Sequence, residues 1–117
     1  METVEEQKQR ILVVDDHSIV RRGFATLINQ QRDMIVCGEA ETAEEALRQI
    51  ENCRPDLAII DLSLKDSISG IDLIREIKRQ FPGVLMLVVS MHDESLYTER
   101  VLRAGAKGYI MKQEVDS

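Results

Sequence analysis

The chain alternates short, unbroken apolar runs with stretches whose apolar residues recur at helical spacing. Arg10 to Val14, Met34 to Ala40, Asp56 to Ile60, Val84 to Val89 and Ala106 to Met111 have the composition of strands. Between them, Ser18 to Gln31 predicts a helix with Val20, Phe24 and Leu27 on its inner face. Thr42 and Glu45 have the spacing of a capping box, opening a helix with Ala43, Ala46, Leu47 and Ile50 on one side. Arg54-Pro55 stops that helix, because proline lacks the next donor and restricts the residue before it. Gly70 to Gln80 predicts a helix burying Leu73, Ile74 and Ile77, ended by Phe81-Pro82-Gly83. A last helix from about Ser95 carries Tyr97, Val101 and Ala104, with Gly105 placed as a left-handed cap. Strands apolar along their whole length are buried on both faces, and strand-helix alternation makes the sheet parallel. The expected class is therefore α/β, a doubly wound five-stranded sheet.

Composition narrows this only a little. A chain of 117 residues predicts one domain spanning 1–117, its residues 1–9 a polar N-terminal extension. That extension lacks the apolar core of a signal peptide, so a cytoplasmic location is expected. A net charge of −6 and only 3% aromatic residues argue against direct nucleic acid binding, and against a membrane surface. Cys37 and Cys53 stand alone in apolar segments, where small buried hydrophobes are expected rather than a disulfide or a zinc site. Five strands are drawn with four helices, which predicts a domain short of its fifth helix, or one that borrows a helix. Part of one sheet face would then stay apolar and wet.

Chemistry gathers at the strand ends. Asp15 and Asp16 close the first strand, Asp61 the third and Ser90 the fourth, and Lys112 follows the fifth. In open α/β sheets ligands bind beyond these carboxyl ends. If the first and third strands are neighbours, three carboxylates meet, and like charges that close repel unless a cation neutralises them. Oxygen-only donors suit Mg²⁺, which keeps several waters and accepts a phosphate oxygen. Asp61 can then attack phosphorus to form an acyl phosphate, while Asp16, with Asp15 beside it, holds the metal directly or through water. Lys112 can neutralise equatorial oxygens, and the Ser90 hydroxyl can bond one of them. Taken alone, each acid is more simply a turn or helix cap, and Lys107 a solvated charge. His17 and His92 are expected beside the site rather than as transition-metal ligands. Leu96, Tyr97, Val101 and Leu102 form an apolar stretch wider than one buried stripe, for which a partner surface over part of it and ordinary core packing are equal readings.

As a set, the acidic pair, the strand-terminal Asp61 and Ser90 and the run Gly108-Tyr109-Ile110-Met111-Lys112 are similar to one known pattern. From about Arg10 to Lys112 the chain resembles the receiver domain of two-component response regulators, the CheY-like family, and especially receivers of the NarL/LuxR type. The resemblance implies a flavodoxin-like fold with strand order 2-1-3-4-5. It also implies Asp61 as phosphoacceptor, Mg²⁺ held with the Ser63 backbone carbonyl, Ser90 and Tyr109 as switch residues, and Lys112 as phosphate-binding lysine. The implied partner is a histidine kinase or phosphotransfer protein, with a homodimer possible through the fourth helix and fifth strand. The output would be transcription, through a DNA-binding domain outside this chain, rather than turnover of outside substrates. The loop Ser63 to Gly70 departs from the pattern by lacking a proline and running one residue longer, and Met91-His92 follows Ser90 where relatives often have a smaller residue. Met91 is expected to alter the lifetime of a phosphorylated form. Three alternatives stay open: a flavodoxin-like electron carrier, a phosphatase with an Asp nucleophile, and a degenerate receiver used only for binding.

Overall fold

The computed structural model describes residues 8–62, 70–90 and 95–111, the last strand residue and the first three of the final helix as backbone only. The order is β1 (Gln9–Val14), α1 (Ser18–Asn29), β2 (Met34–Ala40), α2 (Ala43–Cys53), β3 (Leu57–Asp61), α3 (Gly70–Gln80), β4 (Leu85–Ser90), α4 (Ser95–Ala104) and β5 (Gly108–Met111). All strand pairs are parallel and the sheet order is β2-β1-β3-β4-β5, as the converging acids require. Ser63, Lys112, Met91, His92 and the side chains of Leu96 and Tyr97 lie outside the described residues, as does any helix after β5.

Two apolar layers sandwich the sheet. Leu12, Val14, Ala58, Ile60, Met86 and Val88 face a layer completed by Ala43, Ala46 and Ile50 of α2, Leu73, Ile74 and Ile77 of α3, and Val101 of α4. On the other face Ile11, Val13, Ile59 and Val89 pack with Ile28 and Phe24 of α1. Among the described residues α1 is the one helix on this side. Toward β4 the same face carries half-buried Leu57 and Ile110 and a Leu85 that is 49% exposed among the described residues.

The inner face of α1 is rotated from the expected one. Ala25 and Ile28 are buried, together with Arg21, whereas Leu27 is 47% exposed and Val20 and Phe24 are half-buried. The reason is polar: the Arg21 guanidinium donates from Nη1 to the Asp15 carbonyl at 2.8 Å and from Nε to Glu39 Oε1 at 3.0 Å. A buried cation held that way turns the helix by about one residue relative to its apolar count.

Local chemistry sets the helix ends. Thr42 Oγ1 accepts from the Glu45 N–H at 3.1 Å, as the capping box predicts, but Glu45 Oε1 returns to the N–H of Glu41 rather than of Thr42. Arg54, just ahead of the buried Pro55, caps α2 in the left-handed region at φ 49°. At the end of α4, Gly105 has φ 132°, its N–H reaches the Leu102 carbonyl, and the Ala106 N–H closes onto the Val101 carbonyl at 3.0 Å. This Schellman closure consumes Ala106, so β5 begins at Gly108, two residues later than its apolar run suggests. A side chain at Gly105 would also stand 3.2 Å from the Lys78 carbons of α3. Gly105→Ala is accordingly expected to lose about 1–2 kcal/mol in urea unfolding. Gly83→Ala, where an added Cβ meets nothing within 4 Å, serves as the neutral control.

Candidate functional site

Register brings the acids together. Val14 pairs with Ile60, so the residues that follow, Asp15 and Asp61, leave neighbouring strands side by side. Asp61 pairs in turn with Val89, which sets Ser90 at the next position on the opposite flank. Asp61 is fully buried, Asp15 is 1% exposed and Ser90 is 3% exposed, at the bottom of the strand-end crevice. Asp16, one residue past the strand, remains about one-fifth exposed and forms the open side.

The loop after β1 is stiffened by its own side chains. Asp15 Oδ1 accepts from the His17 backbone N–H at 2.8 Å, turning the chain into α1. The Asp15 N–H donates to the Ala40 carbonyl of β2, and its carbonyl accepts from Arg21. Arg21 thus fixes the backbone of a site residue while Glu39 balances its charge. Sequence spacing concealed this role, because Arg21 occupies what looks like an ordinary helix surface position.

His17 lies closer to the centre than expected. Its Nδ1 is 2.9 Å from Asp15 Oδ1, 3.1 Å from Asp16 Oδ1 and 3.8 Å from Asp61 Oδ2. One ligand-type atom from each of Asp15, Asp16, His17 and Asp61 fits within a 4.8 Å cluster. The ring, half-exposed, places its Nδ1 where three carboxylates converge, the position a cation would take.

The donor set fits a hard divalent ion. Three carboxylates supply oxygen donors from two strand ends, and Asp16 Oδ1 is buried with no hydrogen bond among the described residues, His17 Nδ1 being its 3.1 Å neighbour. Buried oxygens of this kind are stabilised by an ion or its water. The half-open side at Asp16 leaves room for the waters that Mg²⁺ retains. Tyr109, on β5, is half-buried and packs against the layer beneath α3 and α4. The remaining expected site groups, Ser63 and Lys112, fall outside the described residues.

No helix of the described residues is long and apolar enough to cross a membrane. Residues 11–117 match the family model described as the response regulator receiver domain. The oxygen regulatory protein NreC of Staphylococcus epidermidis is 39% identical over 107 residues, covering 92% of this chain and 49% of that protein. The chain therefore spans about half the length of such relatives. Among solved structures, a LuxR-family two-component response regulator from Aurantimonas sp. SI85-9A1 superposes with a TM-score of 0.85 at 36% identity, covering 91% of this chain and 75% of that one. RcsB from Salmonella enterica serovar Typhimurium, solved bound to promoter rprA with the phosphomimetic BeF3-, superposes with a TM-score of 0.84 at 28% identity, covering 92% of this chain and 61% of that one. Sheet order, strand-end acids and these likenesses agree, and the chain belongs to the response regulator receiver domain family, in its NarL/LuxR branch.

Proposed function

We propose that the chain is a phosphoacceptor switch in which Asp61 takes a phosphoryl group from a histidine kinase or phosphotransfer protein, with Mg²⁺ bound by Asp16, Asp61 and the Ser63 carbonyl, and by Asp15 through water. The observation that carries this reading is the convergence of Asp15, Asp16 and Asp61 within one 4.8 Å cluster at the carboxyl end of the sheet. When bound, the ion would neutralise the carboxylates and the incoming phosphoryl oxygens. A carboxylate oxygen of Asp61 attacks phosphorus, the bond to the donor's nitrogen or oxygen breaks, and the donor leaves with that electron pair. Asp15, fixed by its bonds to Ala40 and His17, holds its charge in place without reorganising. Ser90 on the opposite flank donates its hydroxyl to a phosphoryl oxygen, and Lys112 supplies a further positive charge.

The acyl phosphate adds charge at the foot of β3 and β4, and the response is carried by Ser90 and Tyr109 to the surface of α4 and β5. That surface is where a second copy or an output domain would dock. Control of transcription through a DNA-binding domain beyond this chain accords with the promoter-bound RcsB relative. The domain itself accepts a group rather than turning over outside substrates.

The test is intact mass spectrometry after incubation with acetyl phosphate, with and without Mg²⁺. One phosphoryl group per folded chain, gained only with the metal, supports the reading. Catalytic release of phosphate from a chromogenic ester would favour a phosphatase instead. No uptake from acetyl phosphate or from any kinase would leave a binding module.

His17 provides a separate check on the cation position. The His17 ring stands in the carboxylate cluster, so an ion held there would displace its Nδ1 from Asp15. A hydrogen bond of this type is worth about 0.5–1.5 kcal/mol net, so His17→Ala is expected to tighten Mg²⁺ binding roughly twofold to tenfold. Isothermal titration with MgCl2 measures it, and weaker binding by the variant would make His17 a ligand.

A further inference from the structure

Away from the carboxylates, the fold brings a second pair of reactive side chains together. Expected as separate buried thiols, Cys37 on β2 and Cys53 at the end of α2 are instead half-buried, with their Sγ atoms 2.7 Å apart. A disulfide spans about 2.05 Å, so the sulfurs need close by only roughly 0.7 Å to bond.

This approach is built into the sheet. In a regular strand, residues four apart face the same way. Yet Val36 packs on the α1 side of the sheet and Ala40 on the α2 side. The register explains it: Ile11 pairs with Val36 and Leu12 with Gly38, leaving Cys37 as an extra residue in β2. Such a bulge re-aims a side chain, and here it turns both Cys37 and Gly38 toward α2. Gly38 then lets the helix come close, since a Cβ there would stand 2.8 Å from Gln49 Oε1 and 3.3 Å from Cys53 Sγ. From the other side, Arg10 clamps the end of α2 by donating from Nε and Nη2 to the Cys53 carbonyl at 3.0 and 2.8 Å.

We propose that Cys37 and Cys53 are an oxidation site, forming a reversible intramolecular disulfide by exchange with a low-molecular-weight disulfide. The Cys53 sulfur attacks one sulfur of the small disulfide and expels the first small thiol. Cys37 then attacks the Cys53 sulfur of the mixed disulfide and expels the second. Two protein thiols are oxidised, one small disulfide is reduced, and both protons end on the released thiols. Desolvation, and next the hydrogen bond to Cys53, push the Cys37 thiol up to about 12. A scarce Cys37 thiolate makes the exchange slow, while contact between the sulfurs keeps the second step intramolecular. The product ties edge strand β2 to α2 and leaves Asp15, Asp16 and Asp61 untouched.

The reduced chain is incubated with excess oxidised glutathione, quenched with N-ethylmaleimide and weighed intact. The expected product has lost two hydrogens, takes no maleimide, yields a joined Cys37–Cys53 peptide on unreduced digestion, and reverts with dithiothreitol. Its thermal midpoint should rise by roughly 10 °C, as expected for closing a loop of this size. Cys37→Ser and Cys53→Ser show whether each sulfur is reachable alone, by retaining one glutathione. Reachable single thiols together with two alkylated or glutathionylated cysteines in the native chain would overturn the proposal. So would joining only between chains, or inert thiols in all three proteins.

Discussion

Asp61→Asn is expected to take up no phosphoryl group from acetyl phosphate, whereas Asp15→Asn and Asp16→Asn should still be labelled, roughly a hundredfold to a thousandfold more slowly. All three carboxylates share one cluster, so proximity does not tell the acceptor from its helpers. Position in the sheet does. Asp61 ends β3, between β1 and β4, so it has carboxylates on one flank and the Ser90 hydroxyl on the other. Asp15 lies at the β1 side, its Oδ1 already accepting from the His17 N–H, and Asp16 stands on the rim. An amide at Asp61 cannot attack phosphorus, and the loss is complete. An amide at either neighbour removes one charge from the metal's surroundings and leaves the nucleophile in place. Mass spectra over a time course at fixed Mg²⁺ separate these cases. Full labelling of Asp61→Asn, with loss in one of the other variants, would move the acceptor to that residue.

Much of the fold was legible because apolar runs and helical stripes report burial directly. The five strands, α3 with its fully buried Leu73, Ile74 and Ile77, and the Gly105 cap follow from side-chain pattern and backbone sterics alone. The acids were legible too, since a charged residue ending an apolar strand has few places to go but the sheet's carboxyl edge. What pattern could not supply was anything depending on partners distant in sequence. The face of α1 is set by Arg21 meeting Glu39 across 18 residues. The bulge at Cys37 is set by which residues of β1 it sits beside, and it made two distant cysteines neighbours. His17 looked like a bystander because spacing says nothing of ring orientation. Its place among the carboxylates arises from the turn that Asp15 itself caps.

Arg21→Ala is expected to cost about 2–3 kcal/mol and to lower the thermal midpoint by roughly 10 °C, an unusual penalty for a charged helix residue. The Arg21 side chain is 10% exposed, and its guanidinium holds the Asp15 carbonyl with Nη1 and Glu39 with Nε, while Glu41 Oε2 lies 4.0 Å from Nη2. Removing one member of a buried ion pair strands the other, at about 3–5 kcal/mol. Glu39 is 37% exposed and water recovers part of that, hence the smaller figure. Arg21→Lys keeps the charge and the aliphatic stem but loses the planar fork, so it cannot serve both oxygens and should fall between the two. The effect should also reach the chemistry. With its carbonyl released, Asp15 keeps the bond from its N–H to Ala40 but loses the Arg21 anchor, and labelling of Asp61 should slow in Arg21→Ala below the temperature at which it unfolds. A calorimetric midpoint shift of less than about 2 °C would show that Arg21 merely fills space beneath α1. A large shift with native labelling kinetics would confine its role to stability and leave the position of Asp15 to the turn it forms with His17.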